Sequence, residues 1–189
     1  MINQVLDLSK IESGSAEWHS AELDLRDVIR DAVSTTSQLV REHGLALTLS
    51  VPDEVPPVRA DRDRLMQVML NLISNAVKFC PRGTGRISIA LLRLPDALQV
   101  DVSDNGSGVA PQDHELIFEK FRQVGDTLTE KPQGTGLGLP ISRQIVHHFG
   151  GRLWVRSERG QGATFSFTLP LDAPAPAAAQ PLAEPEGST

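Results

Sequence analysis

The run D-R-D-R-L-M-Q-V-M-L-N-L-I-S-N-A-V-K-F-C at 61–80 decides the architecture. Leu65, Val68, Met69, Leu72, Ile73 and Ala76 recur at i, i+3, i+4 spacing, the pattern of a helix that buries one stripe against a core. Asp61 stands where a carboxylate caps the first free N–H groups. Asn71, Asn75 and Lys78 fall at i, i+4 and i+7, on a second stripe beside the apolar one.

Working outward, the spacing predicts a helix over about 24–43 ended by Gly44, and a strand over 45–51. Downstream, 86–94 and 97–104 alternate as strands, and Pro111 opens a short helix over 111–121. A loop over 122–136 leads into a helix at about 138–149, ended by Gly150-Gly151. Strands 152–157 and 162–170 close the unit as a hairpin around Gly160–Gly162. Helices with mostly hairpin-connected strands imply an α/β fold, a two-layer sandwich with helices on one face of a mixed sheet. Residues 1–14 are expected to be the end of a helix from an upstream domain, 15–171 the folded unit, and 172–189 a disordered Pro- and Ala-rich tail.

Three further motifs carry chemistry. In strand 97–104, Leu98, Val100, Val102 and Asp104 share one parity, which puts a carboxylate on the core face at the strand's end. Such a group needs a donor, and an adenine amino group is one, with Gly106 and Gly108 leaving room for a flat ring. D-N-G at 104–106 is also an ordinary turn signal. The run G-T-G-L-G-L at 134–139 leads into a helix with Pro140 in its first turn, so Gly134, Gly136 and Gly138 would let backbone N–H groups face phosphates. It lacks the G-K-[ST] of a P-loop and the spacing of a dinucleotide fingerprint, and a helix-starting turn without ligand remains open. Phe118 and Phe121 flank the 122–136 loop and are expected to hinge it to the core by packing. The Asn71, Asn75 and Lys78 stripe is either a solvated face or a site where Asn75 offers a carbonyl oxygen to Mg²⁺ and Lys78 faces phosphate. Arg122 and Lys131 are within reach of a triphosphate or simply solvated.

Composition sets the outer bounds. A net charge of −6 without a basic, aromatic-interleaved run excludes a nucleic-acid surface. The lone Cys80 cannot form an internal disulfide, which fits a reducing, cytoplasmic compartment. No stretch approaches the roughly 18–20 apolar residues of a membrane span. The five histidines form no metal cluster and are expected on the surface.

Taken in order, these motifs resemble the catalytic and ATP-binding domain of sensor histidine kinases, a family in the superfamily of DNA gyrase B, the mismatch-repair ATPases and a heat-shock chaperone. The resemblance covers roughly residues 20–170 and implies a Bergerat-type fold binding ATP with Mg²⁺. It assigns Asn71, Asn75, Lys78 and Phe79 to the N box, with Asn71 and Lys78 as catalytic residues and Asn75 as the metal ligand. Asp104, Gly106 and Gly108 become the first Gly box, and Phe118 and Phe121 the F box. Gly134, Gly136 and Gly138, with Thr135 and Leu137 between them, become the second Gly box. Residues 109–136 would be the ATP lid, with Arg122 and Lys131 as its cations, and Thr164 would support Asp104 through a hydroxyl or water. The opening L-D-L-S-K-I-E-S-G at 6–14 is similar to the end of a dimerisation and phosphoacceptor helix, and a downstream response regulator is the implied second partner. No histidine here has the family's phosphoacceptor context. Where the superfamily's hydrolases carry a water-activating Glu, this chain has Asn71, and an amide is no general base. An ATPase of the same superfamily and a non-catalytic nucleotide-sensing module are the alternatives.

Overall fold

The computed structural model describes residues 2–122 and 135–171, with side chains from Val5 onward. Helix α1 (Ile2–Glu12) is followed by a linker and a short strand β1 (Ala21–Leu23). Next come α2 (Leu25–Glu42), β2 (Ala46–Ser50), β3 (Val58–Ala60) and α3 (Arg62–Phe79). Strands β4 (Arg86–Arg93) and β5 (Ala97–Asp104) precede α4 (Gly138–His148), β6 (Leu153–Ser157) and β7 (Ala163–Pro170). Five strands form one mixed sheet in the order β2-β4-β5-β7-β6, parallel between β2 and β4 and antiparallel elsewhere. The helices pack on the face formed by Ile87, Ile89, Leu98, Val100, Phe165 and Phe167, all buried, and α3 touches both α2 and α4. The expected α/β two-layer sandwich is what the chain forms.

The predicted cap is in place. One oxygen of Asp61 accepts from Asp63 N–H at 3.0 Å and Arg64 N–H at 3.2 Å, satisfying donors that α3 cannot satisfy itself. α3 then buries Leu65, Val68, Met69, Leu72 and Ile73 completely, as its apolar stripe requires.

Two departures have local causes. β1 and β3 pair as a separate antiparallel ribbon that the sequence pattern does not announce. Each is three residues long, and Pro56-Pro57 stands before β3, so neither offers an alternation to detect. The expected helix at 111–121 is instead two 3₁₀ turns, Pro111–Asp113 and Leu116–Phe118. Ile117 and Phe118 are both buried, and His114 Nε2, between the two turns, lies 3.0 Å from the Ser157 carbonyl, which ties the segment to the end of β6.

Candidate nucleotide-binding site

The C-terminal half of α3, the end of β5 and the start of α4 converge. Asn71 is half-buried, and its Nδ2 donates to the Ser142 hydroxyl of α4 at 2.9 Å. Ser142 is 1% exposed. Gly138, one turn earlier on α4, lies directly against the Asn71 amide, close enough that a Cβ there would overlap Oδ1. A groove of ≈ 480 Å³ beside this pair is lined by Gln67, Leu70, Asn71, Ser74 and Gly138 among others, but by neither Asn75, Lys78 nor Asp104. Asn75 is half-buried one turn further along, and Lys78 is exposed with Nζ 4.6 Å from the Phe79 ring centre.

Asp104 ends β5 on the helix-facing side, as parity predicts. Its Oδ1 accepts from Gly106 N–H at 2.8 Å. Burial pushes this carboxyl above the usual aspartate range, against the opposing pull of hydrogen bonds from the Gly106 and Ala163 backbone. The glycines after it are required by packing as well. A Cβ on Gly106 would sit 2.5 Å from the Phe79 carbonyl oxygen and 2.7 Å from Asp104 Oδ1. Gly108 has φ +67, and a Cβ on it would overlap the Glu158 carbonyl. The missing side chains let the β5 turn close on α3 and on the β6–β7 hairpin.

The two ends of the loop between Phe121 and Gly136 are tied together by the backbone. Phe121 N–H donates to the Gly136 carbonyl at 3.1 Å. Both residues are left-handed, at φ 60 for Phe121 and φ 69 for Gly136, and only the glycine adopts this without cost. Phe118 packs as expected: it is 8% exposed and meets Phe165 edge-on at 6.5 Å. Phe121 does not. Its ring is 66% exposed, because the contact it makes is through its main chain.

Leu137 is buried, and its N–H donates to Thr135 Oγ1 at 3.3 Å. α4 starts with no side-chain cap, so its first N–H groups point out of the helix end with their partial positive charge. A carboxylate at one side, a carboxamide and amine stripe at the other, and an uncapped helix end between them can hold a base, a magnesium-bound phosphate chain and phosphate oxygens.

Residues 60–173 match the family of histidine kinase-, DNA gyrase B- and HSP90-like ATPases. The chain belongs to this family. Among curated relatives it is 38% identical over 174 residues to the non-motile and phage-resistance protein of Caulobacter vibrioides, covering 90% of this chain and 20% of that protein. It is 35% identical over 176 residues to the signal transduction histidine-protein kinase BarA of Escherichia coli, covering 91% of this chain and 19% of BarA. The chain thus spans about a fifth of the length of these relatives. Full-length ShkA, solved with AMPPNP, superposes with a TM-score of 0.80 at 31% identity, covering 92% of this chain and 36% of ShkA. Histidine kinase ThkA, solved with the response regulator TrrA, gives 0.72 at 25% identity over 91% of this chain and 48% of ThkA.

In this histidine-kinase ATP-binding domain, some expected positions fall elsewhere. Thr164 pairs with Ser103 across the sheet, the hydroxyl oxygens 2.9 Å apart. Strand parity puts both on the face away from Asp104, so the Thr164 hydroxyl does not support that carboxylate; the Ala163 backbone does. Arg122 is held by Glu119, with Nε 3.1 Å from the carboxylate. Lys131 and Gly134, with the rest of residues 123–134 of the expected lid, lie outside the described residues. His148 is half-buried rather than on the surface, because Trp18 stacks on it. Sequence reasoning missed Ser142: its only signal is its place one turn after Gly138, and the partner helix is far away in the chain.

Proposed function

We propose that this unit presents the γ-phosphate of Mg·ATP to a histidine on a separate dimerisation and phosphoacceptor domain. The observation that carries the reading is Asn71, an amide whose nitrogen is committed to Ser142 at the mouth of α4. A group so placed can orient phosphate but cannot take a proton from water, which disfavours hydrolysis. Asp104 accepts the adenine amino group, and the first N–H groups of α4 bind phosphate oxygens. Lys78 neutralises phosphate charge. Asn75 supplies one carbonyl oxygen to magnesium; no group of three His, Cys, Asp or Glu surrounds the site among the described residues. That donor set fits an ion held mainly by nucleotide and water. Bound magnesium would offset the charge developing on the phosphates. The attacking imidazole then forms the N–P bond as the bond to the ADP oxygen breaks, in line.

Helix α1 belongs, in this reading, to the end of the phosphoacceptor domain, and residues 109–136 close over bound nucleotide. The ThkA–TrrA complex supports a response regulator as downstream partner. No helix among the described residues is long and apolar enough to cross a membrane, in keeping with a cytoplasmic site of action. The test supplies the chain with γ-labelled Mg·ATP and a separate fragment bearing the helical domain of the same kinase. Base-stable, acid-labile label on that fragment is the expected result. Free phosphate with an unlabelled fragment would overturn the reading.

A further inference from the structure

The linker between α1 and β1 is fastened to the ATP-binding unit at two points. The first is Asp61: while one oxygen caps α3, the other accepts His19 N–H at 2.7 Å. The second is Trp18, whose indole lies flat on the His148 imidazole with ring centres 3.7 Å apart and planes 8° apart. Phe149 closes the cluster edge-on to both rings, 5.5 Å from Trp18 and 5.0 Å from His148. The two points sit at the start of α3 and the end of α4, the helices that carry Asn71, Asn75 and Gly138.

We propose that the Trp18–His148 stack is a proton-operated latch, holding the linker on the ATP-binding unit while the imidazole is neutral and releasing it when the imidazole is protonated. His148 Nε2 is buried with no hydrogen-bond partner among the described residues. A neutral ring tolerates this if the proton sits on the other nitrogen. A protonated ring does not, because both nitrogens then carry donors and one of them is buried without an acceptor. Cation–π attraction to the indole opposes release. That position is already contested, since the Arg64 guanidinium lies over the Trp18 ring at 5.6 Å.

The charged and titratable groups around the stack do not rescue the imidazolium. From α3, Arg64 is positive. Asp7 of α1 is engaged with Arg64 at 3.4 Å, and Asp61 is engaged with His19 and the α3 cap. His147 on α4 adds a second positive charge when protonated. Burial and His147 both push His148 below the ordinary histidine range. Release therefore begins as pH falls below about 6.5, the value of a solvated histidine, and is complete below the depressed value of the stacked ring. The latch is independent of phosphotransfer and would stand if the unit hydrolysed ATP instead.

The experiment uses the full 189-residue chain with Trp154→Phe, leaving Trp18 as the single indole. Its emission and acrylamide quenching are followed from pH 8 to pH 5. The expected result is a shift toward a solvated indole with a midpoint below about 6.5, and no shift in His148→Phe, which keeps the stack but cannot titrate. His19→Gln should leave the transition in place. The same transition in His148→Phe, or no transition in the parent chain, would overturn the latch. Imidazole NMR titration of the Trp154→Phe chain gives a second reading without altering His148. Its resonance should share the midpoint of the emission change, and a midpoint above that of a solvated histidine would also sink the proposal.

Discussion

Asn71 and Ser142 are joined across α3 and α4 by one hydrogen bond of 2.9 Å, made where the missing side chain of Gly138 makes room for the Asn71 amide. The bond fixes the relation between the helix that carries the amide stripe and the helix whose uncapped end we propose to face phosphate.

Removing the hydroxyl tests that relation. Ser142→Ala leaves the Asn71 Nδ2 half-buried without its acceptor, a loss of about 1–3 kcal/mol. Asn71→Ala and the double variant complete the cycle. Chemical denaturation should give coupling of about 1 kcal/mol between the two sites, and additive effects would show that the bond contributes nothing.

Asp104→Asn should separate stability from binding. Its carboxyl is raised above the usual range, so between the unfolded and folded values the folded chain binds more protons. Stability from this group therefore falls as pH rises through that window and stays lowered at pH 7. An asparagine keeps an oxygen for Gly106 N–H and removes the buried charge. The variant should melt at pH 7 no lower than the parent, while ADP affinity drops about 10- to 100-fold as the charged acceptor is lost. Unchanged affinity by calorimetry would remove Asp104 from the adenine site.

Phe121 carries a left-handed backbone and an exposed ring. Phe121→Gly relieves a conformation worth about 1–2 kcal/mol and loses little packing, though glycine's freedom in the unfolded chain offsets part of the gain. The melting temperature should stay level or rise. Gly136→Ala is the converse: the added Cβ lies 2.9 Å from the Phe121 Cα in a left-handed residue, and stability should fall by at least about 1 kcal/mol. A neutral Gly136→Ala would contradict the clamp.

What was legible in the sequence followed local rules. The Asp61 cap, the apolar stripe of α3 and the parity that turns Asp104 inward each depend on neighbours within a few residues. Thr164 was expected to support Asp104, but strand parity turns its hydroxyl to the far face, where it pairs with Ser103. Gly106 and Gly108 were expected to leave room for a flat ring, and the backbone carbonyls they accommodate come from Phe79 and Glu158, elements apart in the chain. Ser142, and Trp18 on His148, became visible only when α3, α4 and the linker were brought together. Nothing in a short polar stretch announces a left-handed Phe121.

The fate of the γ-phosphate tests the central claim most directly. The chain alone is incubated with γ-labelled Mg·ATP, and nucleotide, free phosphate and protein are separated over time. The account predicts label retained on bound ATP, with little release and none on protein, because Asn71 cannot activate water and the proposed phosphoacceptor histidine lies on a separate domain. Multiple turnovers to free phosphate would contradict it and make this unit an ATPase.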